Sequence, residues 1–163
     1  MKVAIGNRQR RHRVEAKRIR RLAERTLNAL GFIDSELSVT IVGDRSIRRL
    51  NRDYRGFDKP TNVLSFPMSA GDFSDVNPEL LGDVVISADT AFREAEEQGI
   101  SFFERLGFLL LHGILHVTGY DHERSGEAEA KRMERKQRQL YTLLKSEGFL
   151  SDTVINSSSL DIP

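Results

Sequence analysis

The sequence predicts one α+β domain, with about four short strands of mixed direction and about five helices. Three observations predict it. Segments with period-two apolar alternation interleave with segments of helical period, and glycines punctuate them. The stretch that follows Ser101 is apolar almost all round and reads as a helix buried at the centre of the fold. At 163 residues the chain suits one domain with a sizeable core. The packed domain is expected over 1–148, and 149–163, polar from Ser151 onward, as a flexible tail.

Val3 and Ile5 alternate with Lys2 and Ala4 as a first strand. A helix is expected from about Arg11 to Leu30. Val14, Ile19, Leu22, Ala23, Thr26, Leu27 and Leu30 form its inner stripe, and Gly31 stops it. Leu37 to Val42 alternates as a half-buried strand. Asp44 is placed to cap a second helix that turns Ile47, Leu50 and Tyr54 inward. Gly56, Asp58 and Pro60 make a turn. Val63 to Phe66, boxed between Pro60 and Pro67, reads as an edge strand. Met68 to Pro78 is a polar loop. Leu81 to Ser87 is a further strand. Ser87 or Asp89 caps a helix that ends at Gly99, and Ser101 caps the apolar helix. The last helix is expected from about Ser125 to Glu147, with Ala130, Met133, Leu140, Tyr141 and Leu144 inward and Gly148 as its stop.

The net charge is only +1, but the charge is segregated. Arg8 to Arg25 holds nine Arg or Lys against two Glu, and Lys131 to Arg138 holds five against Glu134. Such patches attract phosphate backbones, which makes Arg11, Arg18 and Arg21 candidate contacts to a nucleic-acid backbone. His12, inside the first run, reads as a surface residue. The absence of cysteine excludes disulfides, iron–sulfur clusters and thiolate zinc sites, and fits a reducing cytoplasm. No apolar run has the length of a membrane span, so a soluble protein is expected.

Three of the four histidines fall within a few residues of one another. His112 and His116 are four apart in the apolar helix, which stacks both imidazoles on one face about 6 Å apart along the axis. Gly119 suits a helix-ending turn that lets His122 fold back as a third ligand. Three histidines and one open position make a catalytic zinc site with water as the fourth ligand. The pattern H-x-x-x-H-x-x-G-x-x-H is also the ligand set of the long zinc-protease motif. Those proteases place a glutamate directly after the first histidine to activate the water. Gly113 stands there and cannot move a proton. Asp121 and Asp83 are candidates to orient a ligand imidazole from behind. Ser65 and Asn62 read as turn or backbone-binding residues rather than nucleophiles.

His112-Gly113-Ile114-Leu115-His116-Val117-Thr118-Gly119-Tyr120-Asp121-His122 resembles the signature of the YbeY family of bacterial rRNA maturation endoribonucleases. Val117 stands where that family usually has leucine. Tyr54-Arg55-Gly56 with Pro60 to Pro67, and Leu81 to Ile86, resemble two further family segments in the same order. The resemblance implies a zinc helix like that of metalloproteases and one Zn2+ on His112, His116 and His122. It implies cleavage of single-stranded RNA in 16S rRNA 3′-end maturation and ribosome quality control, on the small ribosomal subunit. It marks Arg55 as important for activity. Arg55 and His116 are therefore the expected catalytic residues, Arg55 as the guanidinium beside the scissile phosphate. Two other readings are a zinc-stabilised RNA-binding assembly factor without hydrolytic activity, and a hydrolase of another phosphoester or amide.

Overall fold

A computed structural model describes residues 1–68, 79–120 and 126–151. Among them are four strands and five helices. They are β1 (Lys2–Asn7), α1 (Ala16–Ala29), β2 (Glu36–Val42), α2 (Asp44–Arg55), β3 (Val63–Pro67), β4 (Leu80–Ser87), α3 (Ala88–Gln98), α4 (Phe102–Val117) and α5 (Gly126–Ser146). The polar loop expected before Pro78 lies largely outside the described residues.

The strands form one mixed sheet in the order β1-β2-β4-β3. β1, β2 and β4 run parallel, and β3 returns antiparallel, pairing Val63 with Ile86 and Pro67 with Gly82. The proline-bounded strand thus sits at an edge, as expected. Alternation sorts each strand between two faces. Leu37, Val39, Ile41, Val84 and Ile86 face a core shared with Ile19, Leu22 and Leu27 of α1, Leu110 and Ile114 of α4, and Leu140 and Leu144 of α5. Val42, Leu64 and Val85 face Ile47 of α2 on the other side.

α4 is buried along most of its circumference, which explains why it is apolar all round. Ser101 caps it, its Oγ accepting the Glu104 N–H at 3.0 Å. Ser87 caps α3 in the same way through Thr90. No single helix among the described residues is long and apolar enough to cross a membrane.

Five expectations need correction. α1 starts at Ala16, not Arg11, because Gln9 and His12 clasp each other. The His12 N–H donates to Gln9 Oε1 at 2.9 Å, and Gln9 Nε2 donates to the His12 carbonyl at 2.8 Å. His12 is not a surface residue: its ring packs against both Phe92 and Phe102 and bonds Asp89 Oδ1 at 2.9 Å. Gly43, not Asp44, is the N-cap of α2. Asp44 instead accepts from Ser87 Oγ at 2.7 Å and Thr90 Oγ1 at 2.6 Å, while Asp89 accepts the Asp44 N–H. Tyr54 points outward and is 69% exposed. The buried chain also runs past Gly148: Leu150 belongs to the core and Phe149 packs against it.

Two contacts of α4 fix its position. Gly113 crosses β4 so closely that a Cβ there would lie 2.5 Å from Val84 Cγ1 and 3.3 Å from Ser65 Oγ. Toward α5, the Tyr141 hydroxyl donates to Glu104 Oε1 at 2.5 Å, and Lys145 Nζ lies 3.1 Å from the same oxygen. Burial, then the bond to Glu104, pushes the Tyr141 phenol up to about 12. The bond from Tyr141, with help from Lys145, holds the Glu104 carboxyl below its ordinary value of 4.5.

Gly113→Ala should destabilise the fold by about 1–3 kcal/mol through overpacking against Val84, read as a lowered denaturation midpoint. The helix propensity of alanine would predict the opposite sign. The Tyr141 phenol favours its neutral form in the fold. Its contribution is therefore complete below its ordinary value of 10.0 and is lost as pH rises through about 12. Ultraviolet titration should find one of the three tyrosines ionising late. Tyr141→Phe should cost about 1 kcal/mol at neutral pH, a deficit that shrinks above pH 10.

Candidate metal centre

The 3.6-residue repeat of α4 brings His112 and His116 to one face, with ring centroids 4.8 Å apart and planes at 74°. Their Nε2 atoms lie 3.2 Å apart. Two imidazole ligands of one tetrahedral zinc would have nitrogens about 3.3 Å apart, given Zn–N bonds of about 2.0–2.1 Å. The pair is thus disposed as two donors to one ion would be.

The far side of the His112 ring explains its orientation. His112 Nδ1 is 2.9 Å from Gln137 Oε1 on α5. An amide oxygen only accepts, so Nδ1 carries the proton and Nε2 presents its lone pair toward His116. Gln137 is 7% exposed and lies on the buried stripe Met133, Gln137, Leu140, Leu144. Sequence reasoning missed it. The available signal was a glutamine at a core position of an otherwise apolar stripe, opposite a helix carrying two histidines.

Both histidines open onto a cleft of about 270 Å³ lined also by Arg55, Thr61, Asn62, Val63, Leu64 and Ser65. Arg55 arrives from the end of α2, which Gly56 terminates in the left-handed conformation at φ 79°. Asn62 and Ser65 serve the framework, as expected. The Asn62 carbonyl accepts the Ser87 N–H at 2.9 Å, and Ser65 Oγ donates to the Gly113 carbonyl at 3.4 Å. Gly113 has a second consequence. The space a side chain would need is occupied by Val84, so a protease-like glutamate has no room beside His112.

The other expected site residues fall elsewhere. His122 and Asp121 lie outside the described residues. Among the described residues no three His, Asp or Glu side chains converge on one point. Asp83 is exposed and alternates with Val84 onto the α2 face of β4, so the sheet separates it from the histidines. It cannot orient their rings.

The N-terminal arginines are also displaced from the cleft. α1 packs on β1, at the opposite end of the strand order from β3. The Arg18 guanidinium stacks 3.8 Å over Phe103 and bonds the Ser151 carbonyl, so it holds the C-terminal chain down. Arg11 lies 3.7 Å from Asp89 Oδ1, and Arg21 is exposed on α1. Of the basic residues, Arg55 at the end of α2 lines the cleft with the histidines, and Arg132, Arg135 and Lys136 lie on α5. The last three line a groove of about 410 Å³ with Tyr120 and Gln139.

The comparisons agree with the motif. Residues 4–145 match the family model described as Endoribonuclease YbeY. A Geobacter sulfurreducens protein named Endoribonuclease YbeY is 65% identical over 150 residues, covering 92% of this chain and all of that one. A protein of the same name from Aquifex aeolicus is 50% identical over 121 residues, covering 74% of this chain and 79% of its own. The solution structure of a Thermotoga maritima protein shares the fold, with a TM-score of 0.58 and 22% identity across 96% of this chain and 99% of that one. Together with the histidine helix and its cleft, these matches place the chain in the YbeY endoribonuclease family.

Proposed function

We propose that the chain is a zinc-dependent endoribonuclease specific for single-stranded RNA, acting in 16S rRNA 3′-end maturation and ribosome quality control on the small subunit. The observation that carries this reading is the meeting of Arg55, His112 and His116 in one cleft. The relatives' shared name supports the ribonuclease part of it.

His112 and His116 would hold the zinc, with His122 as the expected third ligand. Bound zinc supplies Lewis acidity and a water acidic enough to attack at neutral pH. The protein's own part is positional and electrostatic. Gln137 fixes the His112 tautomer, so its Nε2 lone pair faces the metal position at no cost in reorientation. Arg55 presents a guanidinium where phosphodiester cleavage concentrates negative charge on the phosphoryl oxygens, and a planar fork suits two of them at once. The Gly113 carbonyl, held by Ser65, keeps α4 in register with the cleft wall.

Purified protein loaded with zinc should hold one ion per chain and cut single-stranded rRNA fragments. Chelation or His116→Ala should abolish both properties. RNA binding without cutting by the wild type would return the second reading, a zinc-stabilised assembly factor. Arg55→Ala should keep its zinc and lose about 10²-fold in turnover; loss of zinc would make Arg55 structural. Gln137→Leu should weaken zinc binding by about 10–100-fold in a competition assay, with the fold intact by circular dichroism. An unchanged affinity would leave Gln137 as packing alone.

A further inference from the structure

We propose that Tyr54 and Phe57 form a stacking platform for unpaired nucleobases on either side of Arg55, a residue that lines the cleft. The proposal rests on the reading of RNA as substrate and assigns the residues that would read its single-stranded character.

Both rings are unusual for their size. Tyr54 is 69% exposed and Phe57 is 49% exposed, in a chain whose other large apolar groups are mostly interior. They flank Arg55, which lines the cleft with the histidines. Two cations lie near the Phe57 ring. The Arg55 guanidinium carbon is 5.5 Å from the Phe57 centroid, and Lys59 Nζ is 5.8 Å from it. Tyr54 stands edge-on to Phe66 of β3, with centroids 5.2 Å apart. One edge of the phenol is thus supported while most of the ring stays in water.

The turn that carries Phe57 is held in place. The Phe57 N–H donates to the Asn51 carbonyl at 3.3 Å, and the Lys59 N–H donates to the Phe57 carbonyl at 2.9 Å. The buried Asn51 amide donates to the Lys59 carbonyl at 2.9 Å. Arg48 pairs with Asp58 at 2.9 Å, which braces the turn. Displaying aromatic rings on a fixed turn lowers the ordering cost of binding.

Flat apolar faces interleaved with cations match one ligand chemistry above others, a polyanion that also carries planar rings. Stacking on aromatic side chains is the sequence-tolerant way to hold single strands. Paired bases keep their faces inside the duplex, so the same platform discriminates against double-stranded RNA.

The chain has no tryptophan, so Tyr54→Trp gives a sole indole reporter. Its fluorescence is read by stopped flow on mixing, ahead of cleavage, with three probes. These are a short adenosine-rich RNA, an abasic ribose-phosphate strand of equal length, and a duplex. Quenching by the single strand alone is expected. Tyr54→Ala, Phe57→Ala and Phe57→Leu should each weaken single-strand binding about tenfold with unchanged melting temperature and zinc content. Leucine keeps apolar area but offers no ring face. Equal quenching by the abasic strand overturns the platform. So does wild-type affinity in the alanine variants, which would turn this face toward a protein partner. If the wild type cuts RNA and these variants cut it equally well at subsaturating RNA, the platform alone falls. If the wild type neither binds nor cuts RNA, the ribonuclease reading falls with it.

Discussion

The contact on which the site depends is the crossing of α4 over β4 at Gly113. The missing side chain lets the helix backbone settle onto Val84, which is fully buried. α1, α3 and α5 close around the rest of the helix. A helix enclosed in this way can keep polar groups only where another element leaves a gap or offers a partner. His112 and His116 face the gap beside β3, and Gln137 is the partner. The same crossing places the His112 and His116 imidazoles in one cleft with Arg55 and the residues of the edge strand β3. A bulkier residue at 113 would push α4 off the sheet and move both rings relative to Arg55, which is carried by a different element. Site geometry and core packing are here one constraint.

Electrostatics separates from sequence order in this fold. Several members of the densest basic run, Arg8 to Arg25, are tied into the framework. Arg18 ties α1 to Phe103 and Ser151, Arg25 pairs with Glu147 of the C-terminal chain at 2.8 Å, and Arg11 neighbours Asp89. Arg25 is exposed, so that pair adds little stability. It does use charge that the linear sequence presents as available. Arg55, at the end of α2, is the basic residue that shares the cleft with the histidines among the described residues. A charge run therefore gives the sign of a surface but not its place, because place is set by which sheet edge the helix packs against.

Much of the fold was legible because its signals are local. Ser87 and Ser101 cap helices through their own backbone neighbours three residues on, and Gly56 and Gly99 take the left-handed conformation that ends α2 and α3. The prolines around β3 forbid a central place in the sheet. The i, i+4 histidine pair needed only the helical repeat. What was not legible needs partners far along the chain. His12 leaves the helical path to meet Asp89, Phe92 and Phe102. Tyr54 has helical spacing that points inward, yet α2 covers only part of its sheet face, so the ring at its end is left in water. Asp83 has the right composition for a ligand's neighbour, but the parity of β4 puts it on the wrong face.

Gln137 shows where the boundary between the two kinds of information lies. Its spacing from Met133, Leu140 and Leu144 placed it inside, and a buried amide demands partners. That much was local. Which partner it meets depends on α5 packing against α4 in register, and the Tyr141–Glu104 bond one turn further along α5 sets that register. One end of the amide is satisfied by His112; among the described residues the other, Nε2, has no acceptor. An amide left half-satisfied in the interior costs about 1–3 kcal/mol relative to a leucine, which would pack there without that loss. The fold carries this cost at one position of an otherwise apolar stripe, the position that touches the ring of a metal-ligand candidate. A residue kept for packing would have no reason to be polar there. A residue kept to hold Nδ1 protonated, and so to aim the His112 Nε2 lone pair, must be.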